Sequence, residues 1–142
     1  MQNATRKASA VAATHPNALV LGADTLVYLD GTIYGKPAGA EEAREMLRAL
    51  GGRRHTVVGG LCLIQDAQTR TVVDRTTVSF RTLDQRLLEW YLASEEWRDR
   101  AGGYAIQGRG AALVSSINGD YLNVVGLPLD SLLKLEPGLI SS

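Results

Sequence analysis

Apolar and polar positions along the 142 residues change period several times, and each change marks an element. Asn3 to Ala13 is rich in Ala, with Arg6 and Lys7, a composition that suits a helix. The segment has no start signal of its own, so it reads as the tail of an element begun upstream, broken at Pro16-Asn17. Ala18 to Gly22 is a short apolar strand, expected to be buried on both faces. Leu26–Leu29 and Thr32–Tyr34 flank Asp30-Gly31, a pair that favours a tight hairpin turn. Ala43, Met46, Leu47 and Leu50 recur at helical spacing, which predicts a helix over 40–50 with Glu41, Arg44 and Arg48 outside the stripe and Gly51-Gly52 as its stop.

The second half reads in the same way. Arg54–Gln65 and Thr71–Arg81 are β-rich runs around the turn-like Asp66-Ala67-Gln68. Thr82 and Gln85 have capping-box spacing, and Leu87, Leu88, Tyr91 and Leu92 line one face of the helix they would start. Trp90 is expected in the core, and Trp97 on an exposed loop or a subunit contact. Ala111–Ile117 and Tyr121–Val125 are predicted as a third strand pair around Asn118-Gly119. Pro128 opens a last helix, Leu129–Leu135, and residues 137–142 read as a frayed tail. Hairpins alternating unevenly with helices predict the α/β class: one domain over residues 1–142, a mixed twisted sheet with flanking helices and not a purely parallel doubly wound one.

Composition narrows the function classes. With 45% hydrophobic and 21% charged residues the chain is globular, and 15 basic against 15 acidic residues give no electrostatic case for nucleic acid or a membrane surface. The longest apolar runs, such as Leu61–Ile64, are strand-sized. No apolar segment follows Arg6 and Lys7 as a secretory signal requires. The single Cys62 lies inside an apolar run, where a thiol acts as a small core residue, and a reducing cytoplasm is its natural compartment.

Three segments carry polar groups that chemistry can use. Gly22-Ala23-Asp24-Thr25 follows a hydrophobic strand; Asp24 either holds a divalent cation or orients a water at the strand end, or caps a turn through nearby amides. Lys36, in Gly35-Lys36-Pro37, is a phosphate contact or a solvated surface lysine, and no P-loop pattern surrounds it. Gln107, in the glycine-flanked, alternating Gly103–Gly108, offers two donors and an acceptor to a base edge, unless the glycines simply mark a bend. His15 and His55 have no zinc-site spacing, and no nucleophile elbow occurs.

Together these stretches resemble the Maf family. The resemblance is carried by Leu21-Gly22-Ala23-Asp24-Thr25, Gly35-Lys36-Pro37, Ala43-x-x-Met46-Leu47, Leu50-Gly51-Gly52 with His55, and Val78-x-Phe80-Arg81-x-Leu83. It continues through Ala101-Gly102-Gly103-Tyr104-x-Ile106-Gln107-Gly108, Ile117-Asn118-Gly119 and Val125-Gly126-Leu127-Pro128-Leu129, in the family's order. It implies a fold related to the inosine triphosphate pyrophosphatases and hydrolysis of nucleoside triphosphates between the α and β phosphates, dependent on Mg²⁺ or Mn²⁺. Asp24 matches the family's catalytic carboxylate, which acts as general base or metal-linked activator of water. Lys36 and Lys7 match basic residues that face the triphosphate; Thr25 and Gln107 match positions linked to substrate choice.

Tyr104-Ala105-Ile106-Gln107-Gly108 resembles the branch acting on dTTP and UTP, whereas the branch preferring 7-methyl-GTP carries a Ser-Glu-Gly-like sequence there. The resemblance also implies a cytoplasmic enzyme whose relatives are often homodimers. The family opens with a strand and a Ser-x-x-Arg-Arg segment followed by a metal-associated Glu, none of which precedes Gly22-Ala23-Asp24 here. Weak or absent catalysis, or a nucleotide-binding regulatory role, is the expectation for a chain without that N-terminal strand and phosphate-binding segment.

Overall fold

A computed structural model describes residues 2–15 and 18–140. The break expected at Pro16-Asn17 and the Ser141-Ser142 end lie outside the described residues. Helix α1 (Gln2–Thr14) leads to strands β1 (Val20–Leu29) and β2 (Thr32–Tyr34), helix α2 (Ala40–Leu50), strands β3 (Arg54–Gln65) and β4 (Gln68–Phe80) and helix α3 (Gln85–Ala93). Strand β5 (Val114–Asn118) and helices α4 (Tyr121–Val125) and α5 (Leu129–Leu135) complete the chain, with short 3₁₀ turns at Ala101–Gly103, Gly108–Leu113 and Pro137–Ile140. The α/β class is as expected: the sheet has five strands in the order β2-β1-β3-β4-β5, antiparallel at β1–β2 and β4–β5. No helix among the described residues is long and apolar enough to cross a membrane.

Local chemistry explains both hairpins. Asp30 and Gly31 have φ of 48° and 84°, the pair of left-handed residues that a two-residue turn needs to match strand twist, and Leu29 faces Thr32 across it. Asp66 and Ala67 repeat the geometry at φ 51° and 63° between β3 and β4.

Four expectations are corrected. The apolar run ending at Gly22 and the one starting at Leu26 are a single strand, with Leu21 exposed and not buried on both faces. Tyr121–Val125 is a helix: Asp120 accepts the Leu122 amide hydrogen at 2.9 Å and caps it. The Asn118-Gly119 hairpin signal predicted a strand, and the cap overrides it. Strand β5 pairs with β4 instead, placing Ile117 opposite Val78. The cap of α3 is Asp84, which accepts from Leu87 N at 2.8 Å; Gln85 does not reach back to Thr82 but donates to Glu89 at 3.1 Å. A carboxylate there also meets the positive end of the helix dipole. Last, the tryptophans exchange places. Trp97 is buried, its indole N–H donating to Leu92 O at 3.0 Å, while Trp90 falls off the Leu88-Tyr91-Leu92 stripe and is exposed, with the Arg109 guanidinium 5.7 Å from its ring.

The chain forms two compact units, one of residues 1–25, 58–75 and 120–142, the other of residues 26–57 and 76–119. In the first, Leu61-Cys62-Leu63-Ile64 of β3 is buried throughout. Leu61 and Leu63 pack with Leu132 of α5, against Leu19, Ala23, Val72 and Leu135. Cys62 and Ile64 pack with Ala4 and Ala8 of α1 and with Val20. Alternation thus buries both faces of one strand, which is why the run lacks polar positions. Arg70 fastens the end of α5 by donating to Leu135 O at 2.9 Å and pairing with Glu136 at 2.5 Å.

In the second unit α2 buries Ala43, Met46, Leu47 and Leu50, the predicted stripe. Arg44 forks onto Glu89 of α3 at 2.9 and 2.8 Å, a hydrogen-bonded pairing that holds the Glu89 carboxyl below its usual range. At the start of β3, His55 is buried with its ring 4.9 Å from Phe80 and 5.4 Å from Tyr104, edge to face. His55 Nε2 and Tyr104 Oη share a hydrogen bond of 2.7 Å. Desolvation by burial lowers the His55 pKa from 6.5 to about 4.

Above pH 6.5 both folded and unfolded chains carry neutral His55; between 6.5 and about 4 only the unfolded chain binds the proton. Stability is therefore full above that window and falls as pH drops through it, by about 3 kcal/mol in all. Denaturant titrations of the unmodified chain and His55→Phe from pH 7 to 4.5 should show their stability difference shifting against the unmodified chain by that amount. A difference independent of pH would contradict the assignment.

Candidate active site

Burial along β1 changes face midway. Val20 and Gly22 are buried, then Ala23 to Leu26 are half-buried, then Val27 and Leu29 are buried while Tyr28 is exposed. Val20, Gly22 and Asp24 share one face by alternation, the face on which α1 lies in the first unit; farther along it Tyr28 is open. Asp24 is thus the residue at which the cover given by α1 runs out, and its side chain keeps 14% exposure. The carboxylate expected in a loop after a strand is instead inside a strand, half-buried and partly accessible. The polar interruption in the apolar pattern marks a change of buried face, not a chain reversal.

What brings a cation to this carboxylate is the absence of a side chain two residues earlier. A Cβ on Gly22 would lie 2.2 Å from the carbonyl oxygen of Ala4 and 3.0 Å from the Ala8 Cβ. The α1 backbone therefore rests directly on the bare Cα of β1. Lys7, one turn along from Ala4, then reaches over the strand: its Nζ donates to Ala23 O at 3.5 Å and lies 3.6 Å from Asp24 Oδ1. Lys7 is more than half exposed, so its ammonium keeps hydrogens free for a further anion. Thr25, next in the strand, is half-buried, and alternation directs it to the opposite face from Asp24.

Among the described residues no group of three or more His, Cys, Asp and Glu side chains is placed to hold a metal ion. Asp24 is a single carboxylate that could serve as one oxygen ligand of a divalent cation.

Lys36 and Gln107 belong to the second unit, and both side chains are exposed. The structure joins their segments: Gly102 N donates to Gly35 O at 3.0 Å. The segment after Gly102 is a bend and not a strand, yet its alternation is real. Tyr104 and Ile106 are buried and Gln107 points outward. Tyr104 is held by His55, and Ala105 N donates to Tyr91 Oη at 3.1 Å. Burial raises the Tyr91 hydroxyl to about 12, which keeps it protonated. Gln107 shares an open cavity with Glu95, Glu96, Arg98, Arg100, Ala105 and Gly108. None of the charged residues of this cavity stood out in the sequence, because Glu95 to Arg100 reads as an ordinary solvated charge run.

A sheet flanked by helices, a carboxylate on β1 paired with a lysine of α1, and a glycine-flanked amide describe an α/β protein. A sequence model of the family described as Maf-like protein matches residues 1–136, and the chain belongs to that family. It is 50% identical over 129 residues to a dTTP/UTP pyrophosphatase of Pyrococcus furiosus, covering 91% of this chain and 68% of the relative. Proteins of the same name from Symbiobacterium thermophilum and Bacillus cytotoxicus are 47% and 48% identical over 132 and 134 residues, covering 93% and 94% of this chain and 68% and 70% of the relatives.

Gly22→Ala tests the packing. The added methyl has backbone, not a flexible side chain, in its way, so α1 must lift from β1. An unfolding free energy lower by about 1–3 kcal/mol is expected, together with a change in the chemical shift of the Lys7 ammonium group. Unchanged stability and an unchanged Lys7 signal would contradict the contact.

Proposed function

We propose that the chain is a nucleoside triphosphate pyrophosphatase that hydrolyses dTTP and UTP to the monophosphate and pyrophosphate. The observation that carries this reading is the Lys7–Asp24 pair, 3.6 Å apart where the cover of α1 ends, in a chain about half identical to relatives bearing that name. In this reading Asp24 takes the proton of the attacking water. Lys7 offsets the charge that develops on the pyrophosphate leaving group. Asp24 would hold Mg²⁺ or Mn²⁺ as one ligand beside the substrate's phosphates, and the ion would supply further charge neutralisation.

Gln107 reads the base. A neutral amide can donate to a pyrimidine carbonyl and accept from its imide N–H. A carboxylate at the same place would suit a cationic, methylated guanine. Free nucleotides and the single reduced thiol of Cys62 both agree with a cytoplasmic location.

Pyrophosphate release from dTTP, UTP, CTP and 7-methyl-GTP, with Mg²⁺ or Mn²⁺, tests these roles. The unmodified chain should act on dTTP and UTP, and Asp24→Asn should lose at least about 100-fold in kcat, the scale of a general base. Gln107→Glu should shift preference toward 7-methyl-GTP. No release from any substrate by a folded chain would favour a nucleotide-binding, regulatory role, and an unshifted preference in Gln107→Glu would refute the base reading.

A further inference from the structure

Gln107 is exposed, so no packing holds its side chain, and any selectivity it exerts depends on how firmly the surrounding backbone is set. Upstream, the setting comes from Tyr104 and Ala105, anchored on His55 and Tyr91. Downstream it comes from Glu96. Both oxygens of that carboxylate accept the amide hydrogen of Arg109, at 3.0 and 3.3 Å. Gly108 lies between, at φ 67°, and a Cβ there would come within 2.7 Å of Glu96 Oε1. The carboxylate therefore lies against the bare Cα of the residue that follows Gln107.

Glu96 is itself well placed to serve as a fixed arm. Its amide donates to Ser94 Oγ at 3.1 Å, the preceding Glu95 is in the left-handed region at φ 59°, and the neighbouring Trp97 is buried. Arg98, which also lines the cavity, is occupied elsewhere: it pairs with Glu95 at 2.6 Å and lies over the Trp97 ring. The Glu96 carboxylate is thus directed onto backbone, within an open cavity of about 340 Å³ that it shares with Gln107.

We propose that Glu96 is the positioning residue for base selectivity. It fixes the Gln107–Gly108–Arg109 turn so that the Gln107 amide meets a pyrimidine nucleotide in one orientation. This rests on the reading of Gln107 as the base-contacting group. A charge-assisted hydrogen bond to a backbone amide is among the stronger kinds. Its loss frees the turn and lets the amide exchange its donor and acceptor ends, so discrimination suffers before turnover does.

The test compares the unmodified chain with Glu96→Ala and Glu96→Gln, the latter keeping one acceptor oxygen. Two quantities are read: kcat and KM for UTP and 7-methyl-GTP, and hydrogen exchange of the Arg109 amide. In Glu96→Ala the ratio of kcat/KM for UTP over 7-methyl-GTP should fall about tenfold, mainly through KM for UTP, and Arg109 should lose its protection. Glu96→Gln should restore most of both. An active Glu96→Ala with unaltered selectivity, or with Arg109 still protected, overturns the role of Glu96 alone. An unmodified chain that cleaves neither UTP nor dTTP overturns the reading of Gln107, and this role with it.

Discussion

The Asp24 site depends on one close approach, the backbone of α1 laid on the bare Cα of Gly22. A helix normally meets a sheet through side chains on both surfaces. Here the small residues Ala4 and Ala8, both fully buried, and the missing Cβ of Gly22 bring the two backbones together. Two consequences follow together. The nearby core of Ala4, Ala8, Val20, Cys62 and Ile64 closes around these small residues. A lysine one turn along the helix also has the reach to sit over Ala23 and Asp24. The stabilising contact and the placement of charge are thus one feature, and a substitution that loosens the first displaces the second.

The second unit solves a different problem, holding an exposed amide in place by burying what surrounds it. Tyr104 and Ile106 point inward and Gln107 outward, so the segment is anchored by alternate residues, as a strand would be, without ladder pairing. His55 supplies the ring contacts and the hydrogen bond that Tyr104 needs once buried, at the expense of a neutral imidazole in a desolvated setting. The histidine that offered no zinc spacing thus has a place in the core, where it holds the functional segment directly through Tyr104.

Much of this was legible in the sequence, where spacing and chemistry agree. The α2 stripe, the Asp30-Gly31 turn and the buried Leu61–Ile64 run each rest on local pattern, and the structure keeps them. The misreadings occur where two local signals compete. Tyr121–Val125 follows a hairpin-like Asn118-Gly119 yet also a capping Asp; Thr82 has the capping-box spacing, and the Asp84 carboxylate makes the cap. The interruption at Gly22–Thr25 has the composition of a loop, but a strand that exchanges its buried face looks the same in one dimension. Glu96 was illegible for another reason: its partner is a backbone amide 13 residues away, and nothing in a run of charges marks which one turns inward.

The most direct test of the account asks whether the site formed by α1 and β1 is the one that meets the nucleotide's phosphates. Calorimetric binding of a UTP analogue with a methylene bridge between its α and β phosphates, in the presence of Mg²⁺, separates recognition from turnover. Lys7→Met, which keeps the apolar stem and removes the charge, should bind it about tenfold or more weakly, the loss of one charge-assisted contact. Equal affinity in the unmodified chain and a folded Lys7→Met would mean that the phosphates are held elsewhere, and that the Lys7–Asp24 pair serves only to fasten α1 to the sheet.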